Sequence, residues 1–103
     1  MKVIFEGKSY DTETAEKICG LYYDRADETE IEQFTETIYR TDDRRYFSYF
    51  SRFYDSESNT YEDNNCFTEY MRILTADDVV DWIFEKTNGM RRDKNVSIDF
   101  FSE

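Results

Sequence analysis

Carboxylates are the residues of this sequence whose number and spacing bear most directly on chemistry. They form two clusters, one made of Asp24, Asp27, Glu28, Glu30 and Glu32, the other of Asp55, Glu57, Glu62 and Asp63. The sequence holds 24 acidic and 13 basic residues, no histidine, and a formal net charge of -11. Such a surface repels phosphates and anionic lipids and attracts basic proteins. We therefore expect these clusters to bind a positively charged partner rather than DNA or a membrane, with ordinary solubilising surface as the alternative.

Catalytic chemistry has little support in the residue types. The lack of histidine excludes Ser-His and Cys-His nucleophiles and His-containing zinc sites, and two cysteines alone do not make a structural zinc site. The three glycines, at positions 7, 20 and 89, are too far apart to form a phosphate-binding loop. Asp77, Asp78 and Asp81 carry oxygen ligands that suit Mg²⁺, but a helix N-terminus favours acids whatever the function. We expect no enzymatic activity, no metal and no cofactor.

The elements that must position the acids are predicted from hydrophobic periodicity. β-Branched and aromatic residues on both sides of Gly7 predict a short strand, a turn and a return strand. Over residues 11–24, Ala15, Ile18, Cys19 and Tyr22 fall on one helical face and predict a first helix. Residues 31–41 predict a strand, with a helix possible over 28–34, and residues 41–44 predict a turn.

The second half of the sequence gives clearer patterns. Residues 45–54, rich in aromatic side chains, predict a strand inside a sheet, and the polar residues 55–65 predict a loop. Residues 67–74 predict a third strand, and Thr75 begins a capping box for a second helix that ends at Asn88-Gly89. The face of this helix is made of Val79, Val80, Trp82, Ile83 and Phe84. A basic patch over 90–95 precedes a short strand over 96–101.

Together these elements predict one α+β domain over residues 1–103, with an antiparallel sheet of three to five strands packed against two helices. An aromatic share of 18% argues against disorder of the whole chain. The Tyr46–Tyr54 aromatic ladder has a pattern that can stack on bases, but base-stacking platforms lie in basic grooves. The two cysteines, Cys19 and Cys66, are expected to be buried thiols of a cytoplasmic protein, and no window is apolar enough to span a membrane.

Three stretches resemble a group of short proteins from phages and mobile elements of Gram-positive bacteria. They are residues 3–15 (VIFEGKSYDTETA), 36–41 (ETIYRT) and 73–82 (ILTADDVVDW). Some members of that group are type II-A anti-CRISPR proteins, which block the RNA-guided effector nuclease. The motifs consist of strand, cap and helix, so the resemblance implies a fold and assigns no catalytic residue. The acidic residues 55–65 have no counterpart in the group.

The resemblance implies an inhibitor that acts in the cytoplasm of the bacterial host and binds the type II effector nuclease or its guide-RNA complex. With the excess of acids, it predicts that the two clusters imitate nucleic acid in a basic groove. Two alternatives stay open: a carboxylate- and Mg²⁺-dependent nuclease that acts on guide RNA, and an acidic adaptor of a mobile element with another basic partner. Aromatic exposure is compatible with a monomer or a dimer.

Overall fold

A computed structural model describes residues 1–26, 30–56, 65–89 and 95–101. The elements are β1 (Lys2–Phe5), β2 (Lys8–Asp11), β3 (Glu16–Ala26), β4 (Glu30–Arg40), β5 (Tyr46–Ser56), β6 (Asn65–Leu74), α1 (Ala76–Gly89) and β7 (Val96–Phe100). β1 and β2 form a hairpin, and the other strands form an antiparallel sheet in the order β6-β5-β4-β3-β7. The predicted α+β class and antiparallel sheet are confirmed.

The first predicted helix is wrong, because the residues from Glu16 to Ala26 form β3. The described residues therefore contain one helix rather than the two that were expected. Cys19, Leu21 and Tyr23 alternate onto one face of β3, which pairs with β4 on one side and β7 on the other. Pairing with distant strands thus overrides the local helical spacing.

The predicted start of the second helix is confirmed at Thr75. The backbone N–H of Asp78 donates to Thr75 Oγ1 at 3.1 Å, and the backbone N–H of Thr75 donates to Asp78 Oδ2 at 2.9 Å. This reciprocal pair is a capping box. The predicted apolar face was too wide, because Val80 and Phe84 are 65% and 68% exposed.

The strand predictions after residue 30 are confirmed with shifted ends. The predicted loop over 55–65 is shorter than expected, since Asp55 and Ser56 belong to β5 and Asn65 belongs to β6. The turn between β4 and β5 closes through Thr41, whose backbone N–H donates to the Arg45 carbonyl at 2.8 Å. The solvated connection at 27–29, most of the acidic loop (57–64) and most of the basic patch (90–94) lie outside the described residues.

The helix and the hairpin pack on opposite faces of the sheet. On one face, Val79 and Trp82 of α1 pack against Cys19, Leu21 and Ile38. On the other face, Tyr10 of the hairpin packs against Tyr39 and Phe47. Ile38 and Tyr39 are neighbours in β4 and point to opposite faces, as successive strand residues do. The two small cores therefore share one stretch of sheet.

Both cores lie toward one end of the strands, which we call the packed half. The other end, called the open half, comprises residues 22–26, 30–35, 49–56 and 65–71, and none of its described side chains is buried. A helix of 14 residues is about 21 Å long. A strand of 11 residues extends about 36 Å. One helix therefore cannot cover the full length of the sheet.

Cys19 is fully buried in the packed half, as predicted, and it is a free thiol. Burial raises the pKa of this thiol to about 11, so the thiolate is a minor species near neutral pH. The side chain of Cys66 lies outside the described part of the structure. Within the described residues, no helix is long and apolar enough to cross a membrane.

Candidate functional site

A diagonal row of aromatic rings crosses the open half on the same face as α1. It contains one ring from each of four neighbouring strands: Tyr23, Phe34, Phe50 and Tyr70. Successive ring centroids are 4.8, 5.8 and 4.9 Å apart. Register explains the row, because Tyr23 lies opposite Phe34 and Phe50 lies opposite Tyr70. The first three rings are half-buried and Tyr70 is 42% exposed, so part of the aromatic surface of the row is accessible to solvent.

Two ion pairs lie beside this aromatic row on the same face. Arg52 donates from Nε and Nη2 to Glu32 Oε2, at 2.9 and 2.6 Å. Arg25 Nη2 donates to Glu30 Oε2 at 2.8 Å. Partly exposed pairs of this kind contribute at most about 1 kcal/mol each to stability. Each arginine also neutralises one of the predicted carboxylates, so the ion pairs lower the negative charge of this end of the sheet.

The other two described acids of the predicted clusters lie on the opposite face of the same half. Asp24 Oδ1 accepts a hydrogen bond from Gln33 Nε2 at 3.2 Å, and Asp55 lies opposite Ile31 in the register. The structure therefore brings Asp24, Glu30, Glu32 and Asp55 to one end of the sheet, but divides them between its faces. The remaining predicted residues, Asp27, Glu28, Glu57, Glu62 and Asp63, lie outside the described part of the chain.

The face opposite the aromatic row has its own polar contacts. The Tyr49 hydroxyl donates to Glu69 Oε2, and this bond raises the pKa of Tyr49 to about 12. Thr35 and Ser51 share a hydrogen bond of 3.1 Å between their hydroxyl oxygens. Phe67 of β6 lies on this face and is 63% exposed. These groups make a mixed polar and apolar surface without a continuous aromatic row.

Of the acids at the start of α1, Asp78 takes part in the capping box. Hydrogen bonds from the Thr75 backbone and hydroxyl lower the pKa of Asp78, and Asp77 and Asp81 are exposed. Among the residues that the structure describes, no group of three or more His, Cys, Asp or Glu side chains is arranged to hold a metal ion.

A second polar feature lies between the sheet and α1, and we call it the Glu36 pocket. It has a volume of about 210 Å³ and is lined by Glu36, Ser48, Arg72, Leu74, Asp78, Asp81, Trp82 and Glu85. Trp82 Nε1–H donates to Glu36 Oε1 at 2.7 Å, and Glu36 is only 9% exposed. Ser48 is 1% exposed, and its Oγ atom has no hydrogen-bond partner in the described structure. An unsatisfied buried hydroxyl costs about 1–3 kcal/mol.

Sequence reasoning included Phe50 in an aromatic ladder but missed the row as a whole, and it missed Glu36 and Ser48. Alternation gave a usable signal for both polar residues. Glu36 falls on the same strand face as Phe34 and Ile38, and Ser48 falls on the same face as Phe50. A polar residue next to large apolar residues on its strand face needs a partner when it is buried, which marks it for inspection.

No protein-family model, curated protein or solved structure matches this chain. Half-exposed aromatic faces attract guanidinium and ammonium groups, and nearby carboxylates accept charge-assisted hydrogen bonds from the same groups. The open half has the residue types of a surface that binds basic side chains.

Proposed function

We propose that this protein is a binding inhibitor that occupies the basic nucleic-acid groove of an RNA-guided effector nuclease. The observation that carries the proposal is the aromatic row of Tyr23, Phe34, Phe50 and Tyr70, with carboxylates at the same end of the sheet. A basic groove supplies arginine and lysine side chains, which stack on aromatic faces and pair with carboxylates. The choice of a type II effector nuclease rests on the resemblance of residues 3–15, 36–41 and 73–82.

Long-range electrostatics supports a basic target. A net charge of -11 steers the chain toward a positively charged groove and raises the association rate at low ionic strength. Aromatic contact then supplies short-range binding energy, because truncated aromatic anchors often dominate the cost of interface mutations. The two contributions can be separated by experiment, because salt weakens the electrostatic attraction far more than the aromatic contact.

The internal ion pairs refine the mechanism. Glu32 already accepts from Arg52 and Glu30 from Arg25, so a partner's arginine must compete for them. Replacing Arg52 with Gln removes its ion pair with Glu32 and takes away one positive charge. If the carboxylates of this end contact the basic groove, Arg52→Gln will speed association with the nuclease. An unchanged or slower association would count against this part of the mechanism.

The main experiment measures association of the purified protein with a type II effector nuclease, with and without guide RNA, over a series of salt concentrations. We expect binding whose association rate falls steeply with salt, together with loss of target-DNA cleavage. The double variant Glu30→Gln/Glu32→Gln, on the face of the aromatic row, should slow association several-fold. Glu13→Gln/Asp42→Asn is the matched control, because it removes the same charge from exposed residues outside the open half.

A second pair of variants tests the aromatic row. Tyr70→Ala should weaken binding about tenfold, equivalent to about 1.4 kcal/mol. Phe67→Ala, on the other face of the same strand, should bind as the unmodified protein does. Equal losses in both variants, or binding that is indifferent to salt, would reject the proposed surface. Cleavage of guide RNA in the presence of Mg²⁺ would instead identify a nuclease.

A further inference from the structure

We propose that the Glu36 pocket binds a primary alkylammonium group, the group that ends a lysine side chain. The pocket lies between β4, β5, β6 and α1, and Glu36 lies opposite Phe50 in the register. It is therefore next to the aromatic row but uses different residues. The inference does not depend on the identity of the nuclease proposed above.

The lining of the pocket favours a cation. Four carboxylates line it, from Glu36, Asp78, Asp81 and Glu85, together with one basic residue, Arg72. Asp78, Asp81 and Glu85 recur on α1 at the spacing of a single helix face. The structure shows no ion pair for the buried Glu36 among the described residues. A group that brings positive charge into the pocket would meet an excess of acceptors.

Ser48 gives an independent reason to place a ligand there. Ser48 lines the pocket, and its hydroxyl is almost fully buried and lacks a hydrogen-bond partner in the described structure. Buried polar atoms in folded proteins nearly always have one. A donor that reaches Glu36 from the pocket would be near a second acceptor at Ser48, because both residues line the same cavity.

An ammonium group fits this lining better than a guanidinium group. It is compact and offers three donors and no acceptor, whereas a guanidinium pairs best with the two oxygens of one carboxylate. Here the acceptors come from β4, β5 and α1. Leu74 and the Trp82 ring provide apolar surface for a methylene stem. A volume of about 210 Å³ greatly exceeds the ~30 Å³ share of one water.

Trp82 makes the proposal directly measurable, because it is the single tryptophan of the sequence. Its indole N–H donates to Glu36, so one indole cross-peak in a proton–nitrogen correlation spectrum reports on the pocket. Titration of the full chain with n-butylammonium chloride should shift this peak saturably. A short lysine-containing peptide, titrated separately, distinguishes a lysine side chain from a free amine as the source of the group. n-Butanol, guanidinium chloride and sodium chloride are the controls.

Variants complete the test. Glu36→Gln retains an acceptor for Trp82 but removes the charge, and it should weaken n-butylammonium binding about tenfold. Ser48→Ala should also weaken it measurably, and it serves alone if Glu36→Gln fails to fold. Asp77→Asn, on the same helix but outside the pocket lining, should bind as the unmodified protein does. The proposal fails if no saturable shift occurs, if a control produces the same shift, or if Ser48→Ala binds n-butylammonium unchanged.

Discussion

The packed half and the open half are built from the same four strands but are stabilised in different ways. In the packed half, Ile38 and Phe47 are completely buried, on opposite faces of the sheet. The open half has no buried side chain among those described, and it is held by backbone pairing, ring contacts and the Glu32–Arg52 ion pair. Cross-strand pairs of this kind contribute only about 0.2–1 kcal/mol each. A sheet that is anchored at one end can therefore extend a binding surface at the other.

The largest difference in stability between the halves should appear when one phenylalanine is truncated to alanine in each half. Phe47 and Phe53 belong to the same strand, β5, and point to the same face, but only Phe47 is buried. Phe47→Ala removes a ring that contacts Tyr10 and Tyr39, and it should lower the free energy of unfolding by about 3–5 kcal/mol. Urea unfolding of Phe53→Ala should show a much smaller loss. Similar losses would mean that Phe53 in the open half stabilises the fold as much as the buried Phe47 does.

Removal of the helix-to-sheet hydrogen bond should have an intermediate effect. Trp82→Phe keeps an aromatic ring in the packed half but leaves Glu36 without its indole donor. An unpaired buried acceptor costs about 1–3 kcal/mol, so the urea midpoint should fall accordingly. The same substitution in a Glu36→Leu background should cost less, because no carboxylate is then left unpaired. If Trp82→Phe lowers the urea midpoint equally in both backgrounds, the loss of stability comes from ring packing and not from the hydrogen bond.

The smallest effect concerns acid stability at the turn of the packed half. Hydrogen bonds from Arg45 and Thr41 lower the pKa of Asp43 from its ordinary 3.8 to about 2. A lowered folded-state pKa stabilises the protein above the unfolded value, and this stabilisation is lost as pH falls from 3.8 to about 2. Asp43→Asn should therefore reduce the acid dependence of the urea midpoint over that range. Asp55→Asn, at the far end of β5, is the comparison, and an identical change in both would contradict a local origin.

The sequence predicted most elements whose signals are local. Residues on both sides of Gly7 form the hairpin, Thr75 caps α1, and residues 67–74 have the predicted alternation. The first helix failed because residues 16–26 satisfy two periods. Ile18 and Tyr22 fit a helical face, while Cys19, Leu21 and Tyr23 fit a strand face. Only the pairing with β4 and β7 decides between them, and pairing of distant strands is not visible in a local pattern.

The candidate sites were less accessible to sequence reasoning. Acids that are clustered along the chain separate in space, because Asp24 lies on one face of the sheet and Glu32 on the other. The aromatic row can be predicted only when the register of four neighbouring strands is known. The Glu36–Trp82 bond joins residues 46 positions apart, so no short motif could have revealed it. Each of these depends on which strands are neighbours, which the sequence does not state.

The pairing of β7 has a consequence for the order in which the chain assembles. Strands β3 to β6 are neighbours in both sequence and space, whereas β7 returns from beyond α1 to pair with β3, where Val96 lies opposite Tyr23. Closing that long loop carries a larger entropic penalty than closing the short turns, so the topology predicts that β7 docks late. Until it docks, the edge of β3 remains available for pairing with another chain. Once docked, β7 extends the sheet and also prevents another chain from pairing with the edge of β3.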